Sequence, residues 1–258
     1  MDTSGAASPP SLARRLVAEL VGTAGLVAVV VGSGIAAQRL SPDDVGLQLL
    51  QNSVATTLGL TVLIIVLGPV SGAHLNPVVS LAEWAAGRRA RAGLGLRGAA
   101  AYVAAQVAGG AAGAVLANLM FEVPTALATT ARAGAGLLLA EVVATAGLVL
   151  VIFSLTRSGR GAWVAPAVGA YIGAAYWFTS STSFANPAVT IGRTFTDTFA
   201  GIAPASVLPF VLAQLLGGAV GLLAARFFFP VAAAPWTGCP SRRWCRGPTE
   251  GSVGTFVP

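Results

Sequence analysis

One short pattern occurs twice in this chain, and its recurrence restricts the fold more than any other feature. Ser71-Gly-Ala-His-Leu-Asn-Pro-Val-Val-Ser80 and Ser181-Thr-Ser-Phe-Ala-Asn-Pro-Ala-Val-Thr190 each set an Asn-Pro pair between a small, polar run and a helix-compatible stretch. Proline is pre-set for the first turn of a helix, and the asparagine before it caps free backbone donors. Both copies lie in apolar sequence: 55% of the 258 residues are hydrophobic, 9% are charged, and the mean hydropathy is +0.78. A soluble domain carries roughly a quarter charged residues, so the chain reads as an integral membrane protein. Two capped helix starts inside a bilayer aim two positive dipole ends at something polar, which points to a pore.

Six apolar stretches are long enough to cross a hydrocarbon core of roughly 30 Å. They run at about Ala13–Ala37, Gln48–Leu67, Gly98–Phe121, Gly136–Leu155, Ala162–Thr179 and Ala205–Phe229. Two shorter segments, Asn76–Ala86 and Asn186–Phe199, follow the Asn-Pro pairs. About eleven helical residues rise only about 16 Å, half a bilayer. Two such half-helices meeting head to head cross it once between them. The first run follows Arg14 and Arg15 as a secretory signal would, but it is too long for a signal core and five more spans follow.

All 15 basic residues are arginine and none is lysine, giving a net charge of +6. A basic balance can indicate nucleic acid, but these arginines cluster in the gaps between apolar runs. Arg14, Arg15, Arg88, Arg89, Arg91, Arg97, Arg157, Arg160, Arg226, Arg242, Arg243 and Arg246 fall on one side of a six-span topology. Arg39, Arg132 and Arg193 fall on the other. The excess marks the cytoplasmic side, where both termini are expected. Abundant alanine without lysine points to a GC-rich bacterial genome, hence to the inner membrane. Cys239 and Cys245 read as unpaired thiols of the tail, and no metal site is expected with His74 so far away in sequence. The chain has no Gly-rich phosphate loop, no His/Cys ligand cluster and no nucleophile–base pair, so neither an enzyme nor a cofactor is expected.

The chain repeats itself beyond the two motifs. Val17-Ala-Glu-Leu-Val-Gly-Thr-Ala-Gly-Leu-Val27 reads against Leu139-Ala-Glu-Val-Val-Ala-Thr-Ala-Gly-Leu-Val149. Each half then holds three spans and a re-entrant segment. An odd number of spans inserts the second half upside down, an inverted repeat around a midplane site. The expected division is a cytoplasmic tail over 1–12, a channel domain over 13–229 with halves of about 13–121 and 136–229, and a disordered Pro/Gly/Arg-rich tail over 230–258. The fold class is an all-α membrane protein with six transmembrane helices and two re-entrant half-helices.

On these motifs the chain resembles the aquaporin superfamily, the major intrinsic proteins, over about Arg14 to Phe229. In the first motif Val78 stands where the family pattern has alanine, and it is expected to add bulk near the pore centre. The resemblance implies that Asn76 and Asn186 offer amide donors to a solute at the pore centre, while two helix N-termini repel cations and relayed protons there. It implies that Glu19 and Glu141, equivalent in the repeat, brace the re-entrant loops. It also implies that the carbonyls of Gly72, Ala73, His74 and Leu75 line the cytoplasmic half-pore, although a lone histidine can equally be a packing residue. The implied partners are water and small neutral solutes, the lipid bilayer, and three further copies in a homotetramer; nucleic acid is not among them.

The selectivity filter departs furthest from the family. Where water and glycerol channels follow the second Asn-Pro-Ala with arginine, this chain has Val189, and Thr190 comes next. Counting from the asparagines places Thr56, Ala174 and Ser183 at the other filter positions. Such a set is small and uncharged and predicts a wide outer constriction. Arg193, one helical turn beyond Val189, reads either as a displaced vestibule charge or as a surface arginine near the headgroups. The run from Ser183 to Ile202 resembles a bacterial subgroup tied to arsenic-resistance operons, which implies conduction of arsenous acid and similar neutral metalloid acids or polyols along with water. A general water and glycerol channel, a secondary transporter and an ion channel remain as alternatives.

Overall fold

Segments surrounded by hydrocarbon must close their backbone hydrogen bonds internally, and the long Ala, Leu, Val and Gly runs do so as helices. The computed structural model describes residues 10–88 and 93–230. In chain order the helices are α1 (Leu12–Leu40), α2 (Val45–Ser71), α3 (Pro77–Gly87), α4 (Leu96–Met120), α5 (Ala135–Arg157), α6 (Val164–Phe178), α7 (Pro187–Gly192) and α8 (Pro204–Phe228). Five of them, α1, α2, α4, α5 and α8, are long and apolar enough to cross a membrane. The 15 residues of α6 follow a 3-10 turn at Gly161–Trp163 and complete the sixth crossing. Arg89, Arg91, Cys239, Cys245, Arg242, Arg243 and Arg246 lie outside the described residues, as do the readings attached to both tails.

The halves are built alike. Helix α1 packs along α2 and α4 as α5 packs along α6 and α8, α2 meets α6, and the half-helices sit between α4 and α8. Close approach of the long pairs depends on repeat-related glycines. A Cβ at Gly113 would collide with the Ala24 carbonyl on α1, and one at Gly221 with the Ala146 carbonyl on α5.

Polarity runs inside out relative to a soluble protein. Val54, Leu58, Val62 and Ile65 form an exposed stripe on α2 at helical spacing, and Leu208, Leu212, Leu216 and Leu223 form one on α8. Such faces have the composition of a surface turned to hydrocarbon. Glu19, Gln106, Glu141 and Gln214 are fully buried instead.

The second half-helix is shorter than its sequence implies. Helix α7 stops at Gly192 and a single 3-10 turn covers Arg193–Phe195, whereas one helix was expected through Phe199. The reason lies in the acceptors: the Arg193 carbonyl takes the Ile202 N–H (3.3 Å) and the Thr194 carbonyl takes the Ala128 N–H (2.9 Å). Those carbonyls serve other segments instead of the N–H groups of Asp197 and Thr198, so the helix does not run on to Phe199. Val78 also differs from expectation. It is buried with Ala82, Val149, Phe153 and Leu222, its Cγ1 in the hollow over Gly218, and it packs between helices rather than at the pore centre.

Candidate functional site

Each half-helix begins at its proline, with the preceding asparagine as cap. Asn76 Oδ1 accepts the Val78 N–H at 2.9 Å, and Asn186 Oδ1 accepts the Ala188 N–H at 3.0 Å. The amide nitrogens cross over. Asn76 Nδ2 donates to the Ala185 carbonyl at 2.8 Å, and Asn186 Nδ2 to the Leu75 carbonyl at 2.7 Å. Each amide carries two N–H groups, so one ties the opposite loop and the second is left for the lumen that both residues line.

The loops feeding these caps have an unusual backbone. Ala73 and Leu75 take left-handed φ values of 46° and 48°, and Ser183 and Ala185 take 52° and 48°. Left-handed residues with side chains cost on the order of 1–3 kcal/mol each. A buried carboxylate holds each loop in place. Glu19 accepts the His74 N–H (2.9 Å), the Leu75 N–H (2.7 Å), the Ser71 hydroxyl (2.6 Å) and Gln106 Nε2 (2.7 Å). Glu141 accepts the Phe184 N–H (2.9 Å), the Ala185 N–H (2.8 Å) and Gln214 Nε2 (2.6 Å). Charge-assisted bonds of this kind are about twice as strong as neutral ones. The loop N–H groups are thus drawn back to the glutamates, while the Leu75 and Ala185 carbonyls are met by the asparagine amides of the opposite half.

A cavity of about 440 Å³ runs past both loops. Gly72, Ala73, His74, Leu75, Asn76, Thr56, Ser183, Asn186, Val189 and Arg193 all line it. The opposite wall is apolar, with Leu26, Val30, Leu60 and Ile64 answered by Leu148, Ile152, Val168 and Ile172 from the other half. The lumen therefore sets two polar loops against helix rows that are apolar except where Thr56 and Tyr176 bring their hydroxyls.

Ala174 is the residue the structure moves. It is exposed on the outer face of α6, and Tyr176 lines the cavity instead, its hydroxyl 3.1 Å from Thr56 Oγ1. Two positions along a helix is about 200° around its axis, so a register error of two exchanges lumen for lipid. The error enters because α6 ends at Phe178 and an irregular turn through Ser183 precedes the second motif.

Arg193 is 3% exposed, far from a free surface arginine. Its Nε donates to the Ala200 carbonyl and its guanidinium lies 3.5 Å from the Phe184 ring centroid. Arg132, from the segment joining α4 to α5, approaches the same ring at 5.1 Å and donates to the Gly201 and Phe199 carbonyls at 3.0 and 3.3 Å. Burial lowers the Arg132 pKa from its ordinary value, with the Glu141 carboxylate pulling the other way. At the opposite end His74 Nε2 meets Glu83 Oε2 at 2.5 Å, and His74 Nδ1 lies 3.0 Å from Ser80 Oγ.

Gln106 and Gln214 were not singled out by sequence reasoning. Their signal was present as a second repeat, Gln106-x-x-Gly-Gly-Ala-x-Gly113 against Gln214-x-x-Gly-Gly-Ala-x-Gly221. Each joins its glutamate to the half-helix, through Ser80 Oγ at 2.9 Å and Thr190 Oγ1 at 2.8 Å.

Residues 6–180 match the family model described as "Major intrinsic protein". The chain belongs to the major intrinsic protein family. A relative named Aquaglyceroporin AqpS, from Rhizobium meliloti (strain 1021), is 50% identical over 86% of this chain and 92% of its own. The Glycerol uptake facilitator protein of Pseudomonas aeruginosa is 32% identical over 89% of this chain and 95% of its own. The crystal structure of the aquaglyceroporin from Plasmodium falciparum superposes with a TM-score of 0.62 at 21% identity, covering 86% of this chain and 97% of that one. That last likeness is one of fold. As a major intrinsic protein the chain is a multi-pass membrane protein and a passive channel of the water and glycerol type, not an enzyme.

Proposed function

We propose that this channel passes small uncharged solutes wider than water, polyols and metalloid acids among them, and that arsenous acid is its physiological cargo. The observation that carries this reading is Val189. It lines the lumen and stands in the sequence where the family pattern of water channels has an arginine; Thr56, Tyr176 and Ser183 line the same lumen, the first two joined through their hydroxyls. Exchange of a guanidinium for an isopropyl group widens the passage and removes its strongest donor. A solute with hydroxyls on one side and an uncharged centre suits a lumen that sets polar loops against largely apolar helix rows. It trades hydration for loop carbonyls and the free N–H of Asn76 and Asn186, and its own gradient drives it through.

In the bilayer, the arginine-rich end that holds both termini faces the cytoplasm of a bacterial inner membrane, and four copies assemble, each with its own pore. Stopped-flow measurements on vesicles with arsenous acid, glycerol, urea and water test the cargo. The three larger solutes are expected to pass, with arsenous acid fastest among them. Water flux with none of the larger solutes would overturn the wide filter; glycerol without arsenous acid would leave a glycerol channel, in line with the name of the Pseudomonas aeruginosa relative, Glycerol uptake facilitator protein. Val189→Arg is expected to cut glycerol and arsenous acid flux at least about tenfold relative to water, a barrier change of roughly 1.4 kcal/mol.

A further inference from the structure

The register that sets Asn76 on Asn186 also sets His74 on Phe184 and Glu83 on Arg193. Both members of the last pair line the lumen, at opposite ends, and they carry opposite charge. The scaffolds around them match. His74 lies edge-on to Tyr102 at 5.3 Å, and Phe184 lies edge-on to Phe210 at the same 5.3 Å. The partners are where the two ends part. Glu83 bonds His74, whereas the ring facing Arg193 is a phenyl group. Among the described residues no carboxylate comes within ion-pair distance of Arg193. Its Nε is taken by the Ala200 carbonyl, its two terminal amines have no acceptor among the described residues, and the residue borders the cavity. A guanidinium stays protonated, and in low-dielectric surroundings an unpaired charge acts along a large part of a narrow pore.

We infer that Arg193 is the residue that turns cations back, and that this channel separates charge selection from size selection, which falls to Val189 one turn deeper. The inference rests on the neutral-solute reading above. An arginine at the narrowest ring has to choose between width and charge, because its own bulk closes the ring it charges. Here the charge follows one turn after Val189, about 6 Å beyond it, with the guanidinium held against the Phe184 ring. A wide pore can then stay closed to ions.

The test uses the full-length protein in vesicles, with potassium efflux and glycerol flux read on the same preparation. Arg193→Gln is expected to raise potassium efflux at least about tenfold over wild type, the lower end of what a focused charge does to local ion concentration. Arg193→Met keeps an unbranched stem against Phe184, is expected to behave alike, and serves where the glutamine variant does not insert. Arg193→Lys keeps the charge and is expected to stay cation-tight. Glu83→Gln removes a charge of opposite sign at the repeat-related position, and it is expected not to raise potassium efflux. Efflux at the wild-type level in both neutral variants at Arg193 would overturn the assignment. So would equal rises in Arg193→Gln and Glu83→Gln, since those mark general loosening. Wild-type vesicles closed to every neutral solute would sink the channel reading itself, whereas a glycerol-permeable wild type with an equally tight Arg193→Gln sinks only the role of Arg193.

Discussion

A carboxylate without a cation beside it survives inside a membrane protein only where donors surround it. Glu19 has four donors and Glu141 three. Removal of one donor therefore takes a larger share from Glu141. Gln214→Leu is expected to lower stability by about 2–3 kcal/mol, and Gln106→Leu by less, since hydrogen bonds to charged groups contribute roughly 1.5–3 kcal/mol each. Thermal melts of the purified variants in detergent check the order, and equal or reversed losses would show that the loops do not depend on this bracing. The glutamates were legible from a repeated Ala-Glu in apolar sequence, because a charge in a span demands an explanation. The glutamines were not, although they recur at equivalent places, because a neutral amide among alanines and glycines raises no such demand. Tyr176 was missed for a different reason: its neighbour on the other face of α6, Ala174, came from counting across a turn whose length the sequence does not reveal.

The elements themselves were legible wherever one rule governed them. Apolar length marked the spans, and Asn-Pro marked the starts of α3 and α7. The end of α7 was hidden, because it depends on Ala128 and Ile202 reaching carbonyls from other segments. Val78 shows the same limit. Its place beside the Asn-Pro pair suggested the pore, but side chains one position apart on a helix diverge by about 100°. Val79 lines the lumen and Val78 fills the hollow over Gly218. Val78→Ala is accordingly a packing change. It is expected to cost about 1 kcal/mol or slightly more in stability, within the range for loss of buried methyl groups, and to leave glycerol and water flux within about twofold of wild type. A large gain in flux would place Val78 back at the pore centre.

Across the whole molecule, the inverted repeat brings two half-helices together by their N-termini, and this is where its electrostatics concentrate. Each N-terminus carries about half a positive charge, so the junction at Asn76 and Asn186 holds roughly one, shielded from bulk water by both loops. Arg193 adds a second positive site nearer one mouth, and the two barriers lie in series. They oppose different things. A hydrated cation meets Arg193 before it sheds water, whereas a proton relayed along a water file has to pass the central junction, where amide donors orient the file and the dipoles oppose charge. Replacement of both asparagines by aspartate places negative charge at that junction and removes both amide ties between the loops. Asn76→Asp combined with Asn186→Asp is expected to raise proton leak at least about tenfold in pH-gradient vesicles, equivalent to roughly 1.4 kcal/mol off the barrier. Arg193→Gln, by contrast, is expected to raise potassium efflux more than proton leak. Proton leak unchanged in the doubly substituted channel would remove the central field from the account. Its rise, with potassium still held back by Arg193, would show that the two charges screen separate species on one path.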